Sequence, residues 1–157
     1  MSDPKEVVRR GYDAIAERYN EWADSFETPE REWVDKLLAR LPPGSDVLDL
    51  GCGGGRGAAQ ALAARHRYTG VDLSEAQLER ARTRLPRATF LRADATGLDL
   101  APASFDAVVS LFMLGHVPRA EQEPLLRAVA TWLRPGGLLL ATLGTACLLY
   151  TSDAADE

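Results

Sequence analysis

The stretch Val47-Leu48-Asp49-Leu50-Gly51-Cys52-Gly53-Gly54-Gly55-Arg56-Gly57 is an apolar run that ends in an acid and then breaks into a glycine-rich loop. Residues 47–50 predict a buried strand. The glycines let the backbone turn sharply and come close to a ligand, because they carry no Cβ. Residues 58–65 predict a helix directly after the loop, and its free N–H groups would face that ligand. This combination is typical of a nucleotide pocket.

A second predicted strand, Tyr68-Thr69-Gly70-Val71-Asp72, also ends in an acid. Asp72 follows the glycines by about 20 residues, which is where a βαβ nucleotide fold places its ribose-binding carboxylate. A glycine loop alone is a weak signal. The acid at this spacing strengthens the prediction of a nucleotide pocket.

Length and composition restrict the class of protein. A chain of 157 residues with 46% hydrophobic content predicts one compact domain with its own core. The net charge of −5 and the dispersed basic residues argue against binding to nucleic acid. No apolar run approaches the roughly 20 residues that span a bilayer, and residues 1–6 lack the core of a signal peptide. We therefore expect a cytoplasmic protein without a membrane partner. Cys52 and Cys147 have no metal-ligand spacing, so no metal site is predicted.

The rest of the chain alternates between predicted helices and strands. Predicted helices cover residues 4–25, 29–41, 58–65, 74–85 and 119–133. Predicted strands cover residues 47–50, 68–72, 89–92, 105–111 and 138–142. Ser74 and Gln77 form a capping pattern, and residues 134–137 predict a type II turn. This alternation predicts an α/β fold with an open parallel sheet.

Five short motifs occur together in an order and spacing that is highly specific. They are residues 47–55, Val71-Asp72, Ala93-Asp94-Ala95, Phe105-Asp106-Ala107-Val108 and Leu133-Arg134-Pro135-Gly136-Gly137. Over about residues 12–142 the chain resembles the small-molecule branch of the class I S-adenosylmethionine-dependent methyltransferases. The resemblance implies a Rossmann-like open parallel sheet with strand order 3-2-1-4-5 and helices on both faces.

The resemblance also implies the residues that bind S-adenosylmethionine. Gly51 and Gly53 would line its methionine and ribose portions, with Cys52 between them as a small residue without a reactive role. Asp49 would order this loop. Asp72 would accept hydrogen bonds from both ribose hydroxyls, since a carboxylate offers two acceptor oxygens.

The adenine and methyl ends would be held by other residues. The resemblance implies that Asp94 accepts a hydrogen bond from the adenine amino group, although a solvated loop acid is the alternative. Ala95 would donate its N–H to the ring, and Leu73 would pack on the ring face. Ser110 and Leu111, at the end of the fourth strand, would border the transferred methyl group.

The first predicted helix contains Tyr12 and Tyr19 on one face, seven residues apart. The family's N-terminal helix folds over the cofactor, so the resemblance implies that both tyrosines belong to a lid. Core packing is the alternative for each.

Methyl transfer from a sulfonium needs alignment more than a fixed set of catalytic side chains. The expected acceptor is a small molecule with an O, N or C nucleophile. His116, just after the fourth strand, is the candidate general base for a hydroxyl or amine acceptor, with a loop or capping role as its alternative. His66 is expected at the surface.

Two other functions remain open. Residues 53–58 also satisfy a dinucleotide-binding pattern, which suggests an NAD(P)-dependent oxidoreductase. Asp49 would then set a negative charge near a pyrophosphate, and no tyrosine is followed by lysine four residues later. The other alternative is a protein that binds the cofactor without catalysing a reaction.

The end of the sequence differs from the family. The family continues with a helix and an antiparallel strand pair, strands 6 and 7, whereas residues 147–157 resemble a translated sequencing adapter. We therefore predict a helical lid over residues 1–41, a truncated cofactor-binding core over 42–146 and a non-native tail over 147–157. The fifth strand would be an exposed edge, where self-association is possible.

Overall fold

The computed structural model describes residues 3–24 and 29–143, without the side chains of residues 19, 20 and 22–24. The helices are α1 (Pro4–Asp24), α2 (Glu30–Leu38), α3 (Ala58–Ala63), α4 (Glu75–Arg84) and α5 (Arg119–Trp132). The strands are β1 (Asp46–Leu50), β2 (Arg67–Asp72), β3 (Thr89–Arg92), β4 (Phe105–Ser110) and β5 (Leu133–Ala141). The tail predicted over residues 147–157 lies outside the described residues.

The five strands form one sheet in the order β3-β2-β1-β4-β5. Every neighbouring pair is parallel; Asp49, for example, is opposite Gly70 on β2 and Val109 on β4. The strand order predicted from the sequence is thus confirmed. The sheet order reverses beside β1, where open α/β sheets bind their ligands.

Helices cover both faces of the sheet, because side chains on a strand alternate between its two faces. Leu48 and Leu50 of β1 pack in a cluster that includes Trp132 of α5. Val47, which precedes Leu48 and points to the opposite face, packs in a second cluster with Leu62 of α3. The core therefore consists of two layers, one on each side of the sheet.

The second helix belongs to this core. Val34 and Leu37 of α2 are buried in the same cluster as Val47. Helix α1 lies over the carboxyl ends of the strands, where its side chains line a cavity that Glu30 of α2 also lines. The helical lid over residues 1–41 stays a prediction, with α1 and the first residue of α2 beside the cavity.

Two element boundaries differ from the sequence expectation. Helix α2 ends at Leu38 rather than near residue 41. Strand β5 begins at Leu133 and runs through the segment predicted as a type II turn, with an irregularity in its pairing to β4. Gly136 has the positive φ of +78° that this turn type requires, so the turn chemistry is present inside the strand as a bulge. Arg134 binds Asp46 and Asp106, each at 2.8 Å, and holds the segment against the sheet.

Within the described residues, no helix combines the length and apolar character needed to cross a membrane.

Candidate functional site

A cavity of about 810 Å³ lies at the carboxyl ends of β1 to β4, under α1. Its walls contain the candidate base and most of the residues predicted to bind the cofactor. They are Tyr12, Asp49, Gly51, Cys52, Gly53, Asp72, Leu73, Asp94, Ala95, Leu111 and His116. Ser110 is buried in the sheet and is not among the lining residues. Tyr19 lies in α1, and its side chain is outside the described residues.

The glycine loop is fixed to the neighbouring strand. The N–H groups of Gly51 and Cys52 both donate to the carbonyl oxygen of Val71, at 2.8 and 3.0 Å. Gly51 and Gly53 have φ of +79° and +57°, a region that costs other residues about 1–2 kcal/mol. No atom lies within 4 Å of the place where a Cβ on Gly53 would stand. The loop thus presents bare backbone to open space in the cavity.

Gly51 has a different role, because its open face is covered. A Cβ at Gly51 would lie 2.6 Å from Cγ of Met113. Met113 follows β4 and also lines the cavity, so its side chain packs directly on the glycine. Sequence reasoning did not identify Met113, since only the fold brings it to the loop.

Asp72 joins the loop to the start of α4. Its Oδ2 accepts a hydrogen bond from Gly53 N at 2.9 Å, and its Oδ1 accepts one from Ser74 N at 2.9 Å. Burial raises the pKa of Asp72 above its ordinary value. Each carboxylate oxygen retains a second lone pair, so the group can accept further hydrogen bonds from a ligand.

Asp49 is the most deeply buried acid of the cavity wall, with an exposed fraction of 5%. The hydroxyl of Tyr68 donates to its Oδ2. Burial raises the pKa of Asp49 to about 7, because a charged carboxylate is poorly solvated there. Asp49 therefore changes charge near neutral pH.

Asp94 is bound by a lysine from α1. Lys5 Nζ donates to Asp94 Oδ2 at 2.6 Å and also pairs with Glu121 on α5. Asp94 Oδ1 accepts from the N–H and the hydroxyl of Thr96. Burial alone would raise the pKa of Asp94, but the hydrogen bonds from Lys5 and Thr96 outweigh it and lower the pKa. Asp94 is thus bound to other residues of the chain, while its side chain remains 36% exposed.

Helix α1 is attached to α4 by a second acid. Asp13 Oδ1 accepts from the Ser74 hydroxyl at 2.5 Å and from Ala76 N at 3.3 Å. Arg9 binds the other oxygen of Asp13 at 2.7 Å. Ser74 in turn caps α4 by accepting from Gln77 N, as the sequence predicted. The start of α4 thus holds α1 in place. The positive end of the α4 helix dipole favours the negative charge of Asp13 at this position.

Tyr12 and His116 meet at the cavity wall. The Tyr12 hydroxyl lies 3.2 Å from His116 Nε2, and the rings are in edge contact with centroids 5.8 Å apart. Tyr12 is half-buried and His116 is exposed. The structure therefore joins a residue predicted for the lid with the candidate base.

Phe112 has an unusual backbone. It is one of two described residues other than glycine with positive φ, at +61°, and the residue is 52% exposed. Such a conformation costs about 1–3 kcal/mol and is common at functional sites. Nothing in the sequence pattern indicated it, since a strained φ leaves no compositional signal here.

Cys52 and His66 complete the sequence-predicted residues. Burial raises the pKa of the Cys52 thiol, which disfavours the thiolate form. Gly70 leaves room for this thiol, because a Cβ there would stand 2.8 Å from its sulfur. His66 was expected at the surface, but it is half-buried and its Nδ1 accepts from Ser45 N at 3.2 Å.

Comparisons with known proteins agree with this geometry. The family profile described as "Methyltransferase domain" matches residues 47–137. The chain belongs to this methyltransferase family. It is 35% identical over 154 residues to the 27-O-demethylrifamycin SV methyltransferase of Amycolatopsis mediterranei, covering 84% of this chain and 56% of that protein. It is 34% identical over 148 residues to a ubiquinone biosynthesis O-methyltransferase of Stutzerimonas stutzeri, covering 86% and 60%.

A solved methyltransferase has the same fold. Haemonchus contortus phosphoethanolamine N-methyltransferase 2 in complex with S-adenosyl-L-methionine superposes with a TM-score of 0.75 at 26% identity. The match covers 99% of this chain and 40% of that one. This chain therefore spans about three-fifths or less of the methyltransferases named here.

Proposed function

We propose that this chain binds S-adenosylmethionine in the cavity under α1 and transfers its methyl group to an O, N or C nucleophile of a small molecule. The observation that carries the proposal is the arrangement of two acids around open glycine backbone. Asp72 ends β2, Asp94 lies just after β3, and the Gly53 backbone faces open space between β1 and α3. Membership of the methyltransferase family supports it.

The residues present fit this cofactor. The glycines at 53 and 57 have positive φ and open space where a Cβ would stand, so the backbone forms a cradle. Asp72 has lone pairs for two ribose hydroxyls, and Asp94 and Ala95 stand together on the cavity wall for the adenine edge. Leu73 offers an apolar surface for a ring. The NAD(P)-dependent alternative is not favoured, because the matched relatives are methyltransferases.

When bound, the cofactor supplies an electrophilic methyl group. The chain's own residues bind it, orient the acceptor and exclude water. Helix α1 covers the cavity and is held by Lys5 and Asp13. A hydroxyl acceptor loses a proton, which the imidazole of His116 would take. The hydrogen bond with Tyr12 holds that ring in one orientation.

The test uses mass spectrometry to measure how much S-adenosylhomocysteine forms in the presence of each acceptor. The purified chain is incubated with S-adenosylmethionine and, separately, with phenolic, carboxylic and amine acceptors. We expect one class to accelerate product formation. If no class does so, while the cofactor still binds, the chain is the non-catalytic cofactor-binding protein and methyl transfer is contradicted.

The two histidines provide a matched pair of variants for the same assay. For a hydroxyl acceptor, His116→Gln should slow the reaction by about 100-fold, since general bases contribute roughly 10²–10⁴-fold. His66→Gln, outside the cavity, should keep the rate. Equal rates for the two variants would remove His116 from the mechanism.

A further inference from the structure

The conformation of Phe112 calls for a physical reason. Its φ of +61° suits glycine, and the residue remains 52% exposed. A glycine would form the same turn without strain, and an exposed ring contributes little to the core. The backbone conformation of the turn therefore does not by itself account for a phenylalanine at this position.

The turn is nevertheless held firmly. Phe112 N donates to the Thr142 hydroxyl at 2.6 Å, and Thr142 N donates to the Ser110 carbonyl oxygen at 3.1 Å. These bonds tie the turn after β4 to the residue after β5. The ring position is thus fixed by the sheet.

A second aromatic ring stands beside it. The ring of Trp33, on α2, lies with its centroid 6.4 Å from that of Phe112, at an interplanar angle of 45°. Phe112 also lines the cavity, together with Leu111 and Met113. The cavity wall therefore carries an apolar and aromatic surface beside the glycine loop, and Trp33 packs against Phe112 from outside the lining residues.

We propose that Phe112, with Trp33 beside it, is the specificity-determining seat for a planar aromatic ring of the methyl acceptor. Aromatic rings pack favourably in offset or edge arrangements, which a saturated ring cannot reproduce. The strained backbone keeps the Phe112 ring exposed before the acceptor arrives, so no rearrangement is needed on binding. The assignment of this ring as an acceptor seat rests on the proposed function.

The test compares catechol with cyclohexane-1,2-diol, which carries the same hydroxyls on a non-planar ring. Binding to the full chain is measured by calorimetry, with and without S-adenosylhomocysteine. We expect catechol to bind at least tenfold more tightly than the diol. Equal affinities, or no binding of catechol, would overturn the proposal.

Variants separate the seat from a structural role. Phe112→Gly should weaken catechol binding at least tenfold, keep or raise the thermal midpoint, and leave the affinity for S-adenosylhomocysteine within twofold. Phe112→Tyr keeps a ring and should keep catechol binding. Leu126→Ala removes an exposed apolar side chain from α5, outside the cavity, and serves as the control. Unchanged catechol affinity in Phe112→Gly would overturn the proposal.

The two proposals can fail separately. A chain that binds catechol through Phe112 but not S-adenosylhomocysteine contradicts the proposed function and supports an aromatic-binding site. A chain that binds S-adenosylhomocysteine and treats catechol and the diol alike contradicts the seat alone.

Discussion

Asp49 shows how one buried charge links folding to the site. The sequence placed it at the end of the first strand, and the strand buries it beside Tyr68. A buried carboxylate is destabilised in its charged form, and this raises its pKa to about 7. A bound cation, such as the sulfonium of the proposed cofactor, would favour the charged form.

Asp49 should make folding stability depend on pH. Its pKa is 3.8 in the ordinary state and about 7 when folded, so between these values the folded chain binds a proton that the unfolded chain has released. Its stabilising contribution is complete below pH 4 and declines as pH rises to about 7. Urea unfolding of the wild type and Asp49→Asn, at pH 4.5 to 7.5 at intervals, measures this effect. We expect the stability difference between the two proteins to shift in favour of the variant as pH rises; a constant difference would refute the assignment.

The glycines at 51 and 53 should respond differently to alanine. Both positions have positive φ, so each substitution costs about 1–2 kcal/mol of strain. Only Gly51→Ala also collides with Met113, which adds about 1–3 kcal/mol of overpacking. Thermal unfolding should therefore show a larger loss for Gly51→Ala.

The substitutions at Gly51 and Gly53 should affect ligand binding for different reasons. Gly53→Ala projects a methyl group into open space and should weaken binding of S-adenosylhomocysteine beyond any effect on stability. Met113→Ala should partly rescue Gly51→Ala but not Gly53→Ala. Equal rescue of both variants would show that the Met113 contact is not the cause.

Helix α1 is held by an ion pair and by hydrogen bonds that link distant parts of the chain. Lys5 lies 89 residues from Asp94, and Asp13 lies 61 residues from Ser74. Sequence spacing cannot reveal such pairs, because an acid and a base on a helix surface usually contact solvent or near neighbours. The tyrosines were assigned to a lid from family resemblance alone, whereas the residues that fasten it were found only in the structure.

The chain's two lysines allow a direct test of this attachment. The Lys5 side chain is 17% exposed and the Lys36 side chain 71%. Burial alone would lower the pKa of Lys5, but its hydrogen bonds to Asp94 and Glu121 raise it, which leaves less free amine. Lys5 should thus react several-fold more slowly than Lys36 with acetic anhydride, as measured by peptide mass spectrometry.

Asp94→Asn provides the control for lysine labelling. It removes one partner of Lys5 and should accelerate acetylation at Lys5 without changing the rate at Lys36, which pairs with Glu32. Similar rates at both lysines in the wild type would show that α1 is not fastened in solution as the structure describes.

Strand β5 shows where a local pattern is insufficient. The dipeptide of Pro135 and Gly136 correctly indicated positive φ at the glycine. The sequence could not show that Arg134 would bind Asp46 and Asp106 across the sheet and keep the segment paired. The strand therefore begins at Leu133 in the structure, whereas the local pattern predicted a start at residue 138.

At the scale of the whole described fold, β5 is the last strand on one side of the sheet. Among the described residues β5 pairs only with β4, and Leu139 is 43% exposed. Unpaired strand edges with apolar side chains promote association. We predict that the chain self-associates with rising concentration, as sedimentation velocity would show.

A charged edge should suppress that association. Leu139→Lys places a charge on β5, whereas Leu126→Lys places one on an exposed site of α5 and serves as the control. The first variant should be the more monomeric at the same concentration. If both behave as the wild type does, the β5 edge is not the contact.

The fold could be predicted from the sequence because it depends on local patterns, while the family resemblance supplied the candidate cofactor residues that line the cavity. Apolar strands, glycines and terminal acids recur at fixed spacings, and the parallel sheet brings their ends together. The lid contacts, the Met113 contact and the strained Phe112 depend on packing between segments far apart. Ser110 does lie at the end of a strand, as predicted, but its side chain is buried and does not line the cavity.

The central claim, that the cavity binds S-adenosylmethionine through Asp72, is tested most directly by calorimetric titration with S-adenosylhomocysteine, with NAD as the competing ligand. We expect the wild type to bind S-adenosylhomocysteine and not NAD. Asp72→Ala should weaken this binding at least tenfold, while Asp99→Ala, an exposed acid outside the cavity, should not. Binding of NAD alone, or equal binding by the two variants, would contradict the account.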